Sequence, residues 1–142
     1  MKKDRIQDLI EIARQARENA YAPYSKYAVG AALLTSEGEV FSGCNVENST
    51  YGATTCAEQI AVFKAMSERG SLQIQELVVL TESSPPAACC GICRQVIREF
   101  AAPDLWIHLV NLRGERRKFR LEKLFPEAFT PQHLLARKKR KK

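Results

Sequence analysis

Two thiols three residues apart, Cys90 and Cys93, place the tightest demand on what this chain can fold into. The C-x2-C spacing of Cys90-Gly91-Ile92-Cys93 lets two thiolates from one segment close on a tetrahedral metal. The segment falls where a loop becomes a helix, so residues three apart share one side and the free N–H groups of the first turn favour thiolate over thiol. Cys56 stands alike, at the start of an earlier helix. A fold in which two helix N-termini converge would therefore present three thiolates to one ion. Three ligands leave one tetrahedral position open, which is the catalytic pattern, because water there becomes acidic near neutral pH. A fourth thiolate from Cys44 would instead close the site and make it structural. Glu58, two residues after Cys56, favours the open reading, since hydrolytic chemistry needs a proton carrier beside the metal that does not bind it.

The chain has five cysteines, the fifth being Cys89. An odd number argues against a disulfide framework and towards metal binding or catalysis in a reducing compartment. Apolar runs such as 28–34 and 77–80 are too short to span a bilayer, and the charged, amphipathic N-terminus does not read as a secretory signal. A cytoplasmic protein without membrane contact is expected. At 142 residues the chain is long enough for one domain that buries about two-thirds of its unfolded surface. Its formal charge of +6 resides in the last six residues, Arg137 to Lys142, all of them basic. Without them the basic and acidic residues are equal in number, so composition provides no basic face on the body, and a nucleic-acid partner is not expected. The domain expected is 1–136, followed by a basic, disordered tail at 137–142 that could touch RNA or anionic surfaces only weakly.

Ile6, Leu9, Ile10, Ala13, Ala16 and Ala20 recur at helical spacing, so the pattern predicts a helix from Asp4 to about Asn19 with Asp4 near its N-cap. Residues 29–35 and 39–46 are apolar and β-branched around the turn Ser36-Glu37-Gly38, a hairpin. Thr54 and Thr55 offer N-caps to a helix over about 56–68 that Gly70 closes. A buried strand over 74–81, a Pro-containing loop over 82–88 and a helix over 91–101 follow. Strands over 106–112 and 118–121 and a short helix over 121–125 complete the order α-β-β-α-β-α-β-β-α. Strands alternating with helices after an opening hairpin imply an α/β fold, a three-layer α/β/α sandwich with one mixed five-stranded sheet.

Six ordered elements carry a resemblance: Tyr21-Ala22-Pro23-Tyr24-Ser25-Lys26-Tyr27, Val29-Gly30-Ala31-Ala32-Leu33, Gly43-Cys44-Asn45-Val46-Glu47-Asn48, Tyr51-Gly52, Cys56-Ala57-Glu58 and Cys90-Gly91-x-Cys93-Arg94-Gln95. Together they closely resemble the small homotetrameric, three-cysteine cytidine deaminases, over about residues 4 to 135 and without large gaps. The resemblance implies that Cys56, Cys90 and Cys93 bind one zinc ion per subunit and that Glu58 is the catalytic proton carrier. It implies a nucleoside substrate, cytidine or deoxycytidine, hydrolysed to uridine or deoxyuridine and ammonia in pyrimidine salvage. Asn45 and Glu47 match the family's ribose-hydroxyl ligands, and residues two apart on an extended segment do face the same side. Tyr27 matches the aromatic position against the base, and Ala57 a backbone contact to the base edge. Tyr51 and Phe129 match positions near sites completed by neighbouring subunits of a homotetramer.

Two residues depart from that pattern. Gln59 stands where three-cysteine members commonly carry Arg, which offsets thiolate charge, so Arg94 is expected to carry more of that role. Cys89 replaces a proline and offers a second ligand frame, C-x3-C with Cys93, but Gly91 fits only the family's x2 register, which favours Cys90 as the ligand and Cys89 as a bystander. Cys44, in an apolar strand, reads as a small buried hydrophobe. Because the basic run lies beyond the last family-like position, deleting Arg137 to Lys142 is expected to leave nucleoside deamination nearly intact in a steady-state assay; a large loss would place the tail within the functional unit.

Overall fold

The computed structural model describes residues 4–139. Five strands form one mixed sheet in the order β2-β1-β3-β4-β5, where β1 is Gly30–Thr35, β2 Val40–Cys44, β3 Ile74–Thr81, β4 Trp106–Asn111 and β5 Arg116–Arg120. β1 runs antiparallel to both β2 and β3, β3 is parallel to β4, and β5 returns antiparallel to β4. Five helices accompany it: α1 (Arg5–Arg17), α2 (Ala57–Arg69), α3 (Gly91–Glu99), α4 (Leu121–Leu124) and α5 (Pro131–Lys139).

The period-2 alternation of the strands divides the core in two. Ala32 and Leu34 of β1, Val78 and Leu80 of β3 and Val110 of β4 face one side, where Leu9, Ile10 and Ala13 of α1 cover them. Leu33, Leu77, Val79, Ile107 and Leu109 face the other, against Ala61, Val62 and Ala65 of α2, Cys93 and Ile97 of α3 and Leu121 of α4. The expected three-layer sandwich is thus formed, with α1 alone opposite α2 and α3. No helix among the described residues is long and apolar enough to cross a membrane.

Local signals place the helix ends that matter. The Asp4 carboxylate accepts from the Ile6 N–H at 3.0 Å and starts α1. Gly70, at φ +73°, closes α2 in the left-handed conformation that only glycine adopts at no cost. The start of α2 differs from expectation, because Thr54 and Thr55 do not cap it. Thr55 is drawn into an extended bridge with Val46, each N–H donating to the other's carbonyl at 2.9 Å, which delays the helix until Cys56 takes the N-cap. Cys90 is the N-cap of α3.

α5 was not expected from the sequence. Pro131 sits at its first position, and the Thr130 N–H donates to His133 Nδ1 at 2.9 Å in the manner of a capping box. The helix takes in the first three residues of the basic run, so the boundary drawn at 136 falls within a helix; Arg140 to Lys142 lie outside the described residues.

Helix α2 lies close on β2 because Gly43 has no side chain: a Cβ there would meet the Ala57 carbonyl at 2.5 Å and the Ala61 nitrogen at 2.7 Å. Both neighbours are rigid backbone at the start of α2, so relief requires the helix to shift. Gly43→Ala is expected to destabilise the fold by about 1–3 kcal/mol in denaturant unfolding. Gly52→Ala, where nothing lies within 4 Å, should stay within about 0.5 kcal/mol of the parent. Equal stability of the two variants would refute the close-approach account.

Candidate metal centre and active site

The N-termini of α2 and α3 meet at three sulfur atoms. The Sγ atoms of Cys56, Cys90 and Cys93 all lie within 4.8 Å of one another, Cys56 at 3.9 Å and Cys93 at 3.3 Å from Cys90. Tetrahedral zinc with bonds of about 2.3 Å to sulfur requires neighbouring sulfurs about 3.8 Å apart. The donor set fits zinc. The Cys93 N–H points at Cys90 Sγ at 3.5 Å, so the first turn of α3 offers a backbone donor to the thiolate. Hydrogen bonding from Cys93 pulls the Cys56 thiol down to about 7, against the opposing effects of burial and Glu58. That same bond to Cys56, together with burial, holds the Cys93 thiol up. A dication held by Cys56, Cys90 and Cys93 would favour the thiolate form of all three. Neither Cys44 nor Cys89 joins the cluster among the described residues. Cys44 is half-buried rather than fully enclosed, because it closes β2 at the sheet edge, and burial pushes its thiol up.

Glu58, the second residue of α2, is buried beside the cluster, at 5% exposure. Burial pushes its carboxyl up, while its own backbone N–H and the thiols of Cys93 and Cys89 favour the charged form. A carboxyl raised by burial holds a proton more readily than an exposed one, as a proton carrier must. Cys89 is buried, and burial followed by the charge of Glu58 pushes its thiol well above the ordinary range.

Gln59 and Arg94, the two residues expected to adjust the charge of the site, are both committed to backbone. Gln59 Oε1 accepts from the Cys56 N–H at 3.3 Å, so this side chain caps α2 instead of facing the thiolates with a charge. Arg94 donates from Nε to the Cys89 carbonyl at 2.8 Å and from a terminal nitrogen to the Leu124 carbonyl at 2.5 Å. Its guanidinium thereby fixes the segment before Cys90 to the end of α4.

A cavity of about 270 Å³ opens on Cys56, Cys90 and Glu58, near the lower end of the range of small-molecule pockets. Its rim brings together Tyr27, Asn45, Glu47 and Ala57. Asn45 and Glu47 are buried while Val46 between them is 42% exposed, the alternation that an extended segment imposes. Asn45 accepts from the Val29 N–H at 2.9 Å and donates to the Tyr27 carbonyl at 2.7 Å. Glu47 accepts from the N–H groups of Tyr24 and Ser25 and from the Ser25 hydroxyl, and these bonds, the hydroxyl foremost, hold its carboxyl below the usual range. Tyr51 and Phe129 lie elsewhere: Tyr51 packs against Tyr24 with ring centroids 5.6 Å apart, Phe129 stacks on His133 at 5.2 Å, and both are largely exposed.

Sequence reasoning did not single out Ser25, Ser83 or Asn111 as positioning residues. Ser83 pairs with the Tyr27 hydroxyl at 2.5 Å. Asn111, fully buried, accepts from the N–H groups of Arg113 and Glu115 and donates to the Ser83 carbonyl, all at 3.0 Å, tying the β4–β5 turn to the loop that leads to Cys90. Ser25 stands inside a recognisable motif, whereas nothing local marks Asn111. Arg94→Gln, which strips the two carbonyl contacts and a cation from beside the cysteines, is expected to lower unfolding stability by about 2 kcal/mol and to reduce bound zinc. Parent-like values in calorimetry and in zinc analysis by atomic emission would refute that role.

This geometry agrees with three comparisons. A family described as cytidine and deoxycytidylate deaminase zinc-binding region matches residues 3–109. A cytidine deaminase of Sporosarcina psychrophila is 44% identical over 129 residues, spanning 91% of this chain and 94% of that protein. One of Halalkalibacterium halodurans is 44% identical over 128 residues, 90% of this chain and 96% of its own. Among solved structures, the cytidine deaminase of Burkholderia pseudomallei superposes with a TM-score of 0.82 at 46% identity, covering 87% of this chain and 98% of that one. Since the matched region contains both helix N-termini and every residue of the thiol cluster, the chain belongs to the cytidine and deoxycytidylate deaminase family.

Proposed function

We propose that this chain hydrolyses the exocyclic amine of free cytidine and deoxycytidine, releasing uridine or deoxyuridine and ammonia, in cytoplasmic pyrimidine salvage. The observation that carries the reading is the juxtaposition of a tetrahedrally spaced three-thiol cluster, a buried carboxyl and one cavity reaching both. Cys56, Cys90 and Cys93 would hold the zinc, which supplies Lewis-acid activation of water when bound. Glu58 takes a proton from the attacking water, places it on ring N3, and carries a second proton to the departing amine, so that water and nucleoside balance against product and ammonia. Its burial keeps that proton from exchanging freely with solvent.

Tyr27 borders the cavity where the base would lie, and the backbone of Ala57 would meet the base edge. Asn45 and Glu47 would take the sugar hydroxyls: each still has unused hydrogen-bond capacity after its backbone contacts. A cavity this size suits a single nucleoside and not a polynucleotide. Tyr51 and Phe129, exposed and outside the cavity of their own protomer, would complete the sites of neighbouring subunits in a homotetramer.

An ultraviolet assay on metal-replete protein tests the proposal, with conversion of both nucleosides expected and abolished by a zinc chelator. Glu58→Ala should reduce turnover by at least about a hundredfold while zinc remains bound. Absence of conversion of either nucleoside by the parent, or full activity in Glu58→Ala, would overturn it.

A further inference from the structure

One hydroxyl ties together the two sides of the cavity. Ser25 Oγ donates to Glu47 Oε2 and accepts from the Tyr27 N–H at 3.0 Å. Glu47 Oε1 receives the N–H groups of Tyr24 at 2.9 Å and Ser25 at 3.1 Å, which occupy both of its lone pairs. Oε2 receives only the Ser25 hydroxyl and so retains one acceptor position. The Tyr27 carbonyl in turn receives Asn45 Nδ2 at 2.7 Å, so the chain of bonds runs Glu47, Ser25, Tyr27, Asn45. All four residues line the cavity.

We propose that Ser25 is a positioning residue for nucleoside binding: its hydroxyl fixes the rotation of the Glu47 carboxylate and leaves one oriented acceptor for a sugar hydroxyl, while holding the Tyr27 backbone in register. The proposal rests on the deaminase reading above. Without the Oγ atom, Oε2 regains a second free lone pair, the Tyr27 N–H loses its partner, and the carboxylate is held at Oε1 alone, free to rock about that anchor. The backbone donors to Oε1 remain, so the loop stays attached and the consequence falls on recognition rather than on folding.

The test compares two substrates that differ only in the sugar hydroxyls that Asn45 and Glu47 would take. For Ser25→Ala, the KM for cytidine should rise by about tenfold with kcat within about twofold of the parent, the pattern of a lost binding interaction. The KM for 2′,3′-dideoxycytidine, which has no hydroxyl to offer at those positions, should change by less than about twofold. Ser25→Thr, which retains the hydroxyl, should restore the cytidine KM. The thermal shift produced by uridine, which needs no turnover, should shrink in Ser25→Ala and return in Ser25→Thr. If Ser25→Ala does not yield folded protein, Ser25→Cys, a weak donor of similar size, should show the same preference for raising the cytidine KM. Equal effects on the two substrates, or an unchanged KM for cytidine, would overturn the role of Ser25 and leave the deaminase reading intact. Parent protein that converts neither substrate would overturn both.

Discussion

The structure depends on the meeting of two helix N-termini over one face of the sheet. Cys56 and Cys90 are both N-caps, so each presents a sulfur where backbone N–H groups are unsatisfied and a negative charge is favoured. Cys93 enters one turn later from the same helix as Cys90. Everything that fixes the distance between α2 and α3 therefore fixes the spacing of the sulfurs. The close contact of α2 with β2 at Gly43 determines one side, and the tie from Arg94 to the Cys89 and Leu124 carbonyls determines the other.

Charge is the recurrent cost of such a site. Three thiolates exceed the charge of a zinc dication, and Glu58 adds a carboxyl in a buried place. With Gln59 engaged in capping, the first turn of α3 offers a backbone donor to Cys90 Sγ, and the Arg94 guanidinium is held on the Cys89 and Leu124 carbonyls. The burial that raises Glu58 is the same property that suits a carboxyl to carry protons, so the electrostatic difficulty and the chemistry share one cause.

The cavity rim solves a different problem, which is holding an irregular loop against a sheet edge. Asn45 and Glu47 extend β2 beyond its last ladder pair and use their side chains to satisfy backbone groups of residues 24–29. The residues proposed to grip the sugar are thus also those that organise the loop carrying Tyr27. Across the cavity, Asn111 plays a similar part for the loop before Cys90, through the Ser83 carbonyl. Both walls are set by buried amide or carboxylate groups bound to backbone, which favours a cavity formed before a ligand arrives.

Much of this was legible in the sequence because it is encoded locally. The x2 spacing of Cys90 and Cys93, the continuous apolar run at 77–80 within the buried strand, Gly70 as a helix stop and the alternation of Asn45 and Glu47 all act over a few residues, where hydrogen bonding and burial have few alternatives. α5 escaped notice because its apolar face is weak and its end is crowded with charge, although Thr130-Pro131 was a start signal. The delayed start of α2 at Cys56 required knowing that Thr55 would pair with Val46, a contact between separate segments. The sequence by itself determined the donor atoms, the order of the elements as far as α4 and the alternation that sorts core from rim. Only the tertiary structure decided that Cys56 lies 3.9 Å from Cys90, that Asn111 reaches Ser83, and that Ser25 joins Glu47 to Tyr27. Those are contacts between segments far apart in the chain or within an irregular loop, and they form only after the packed sheet has met the entropy of closing the chain between them.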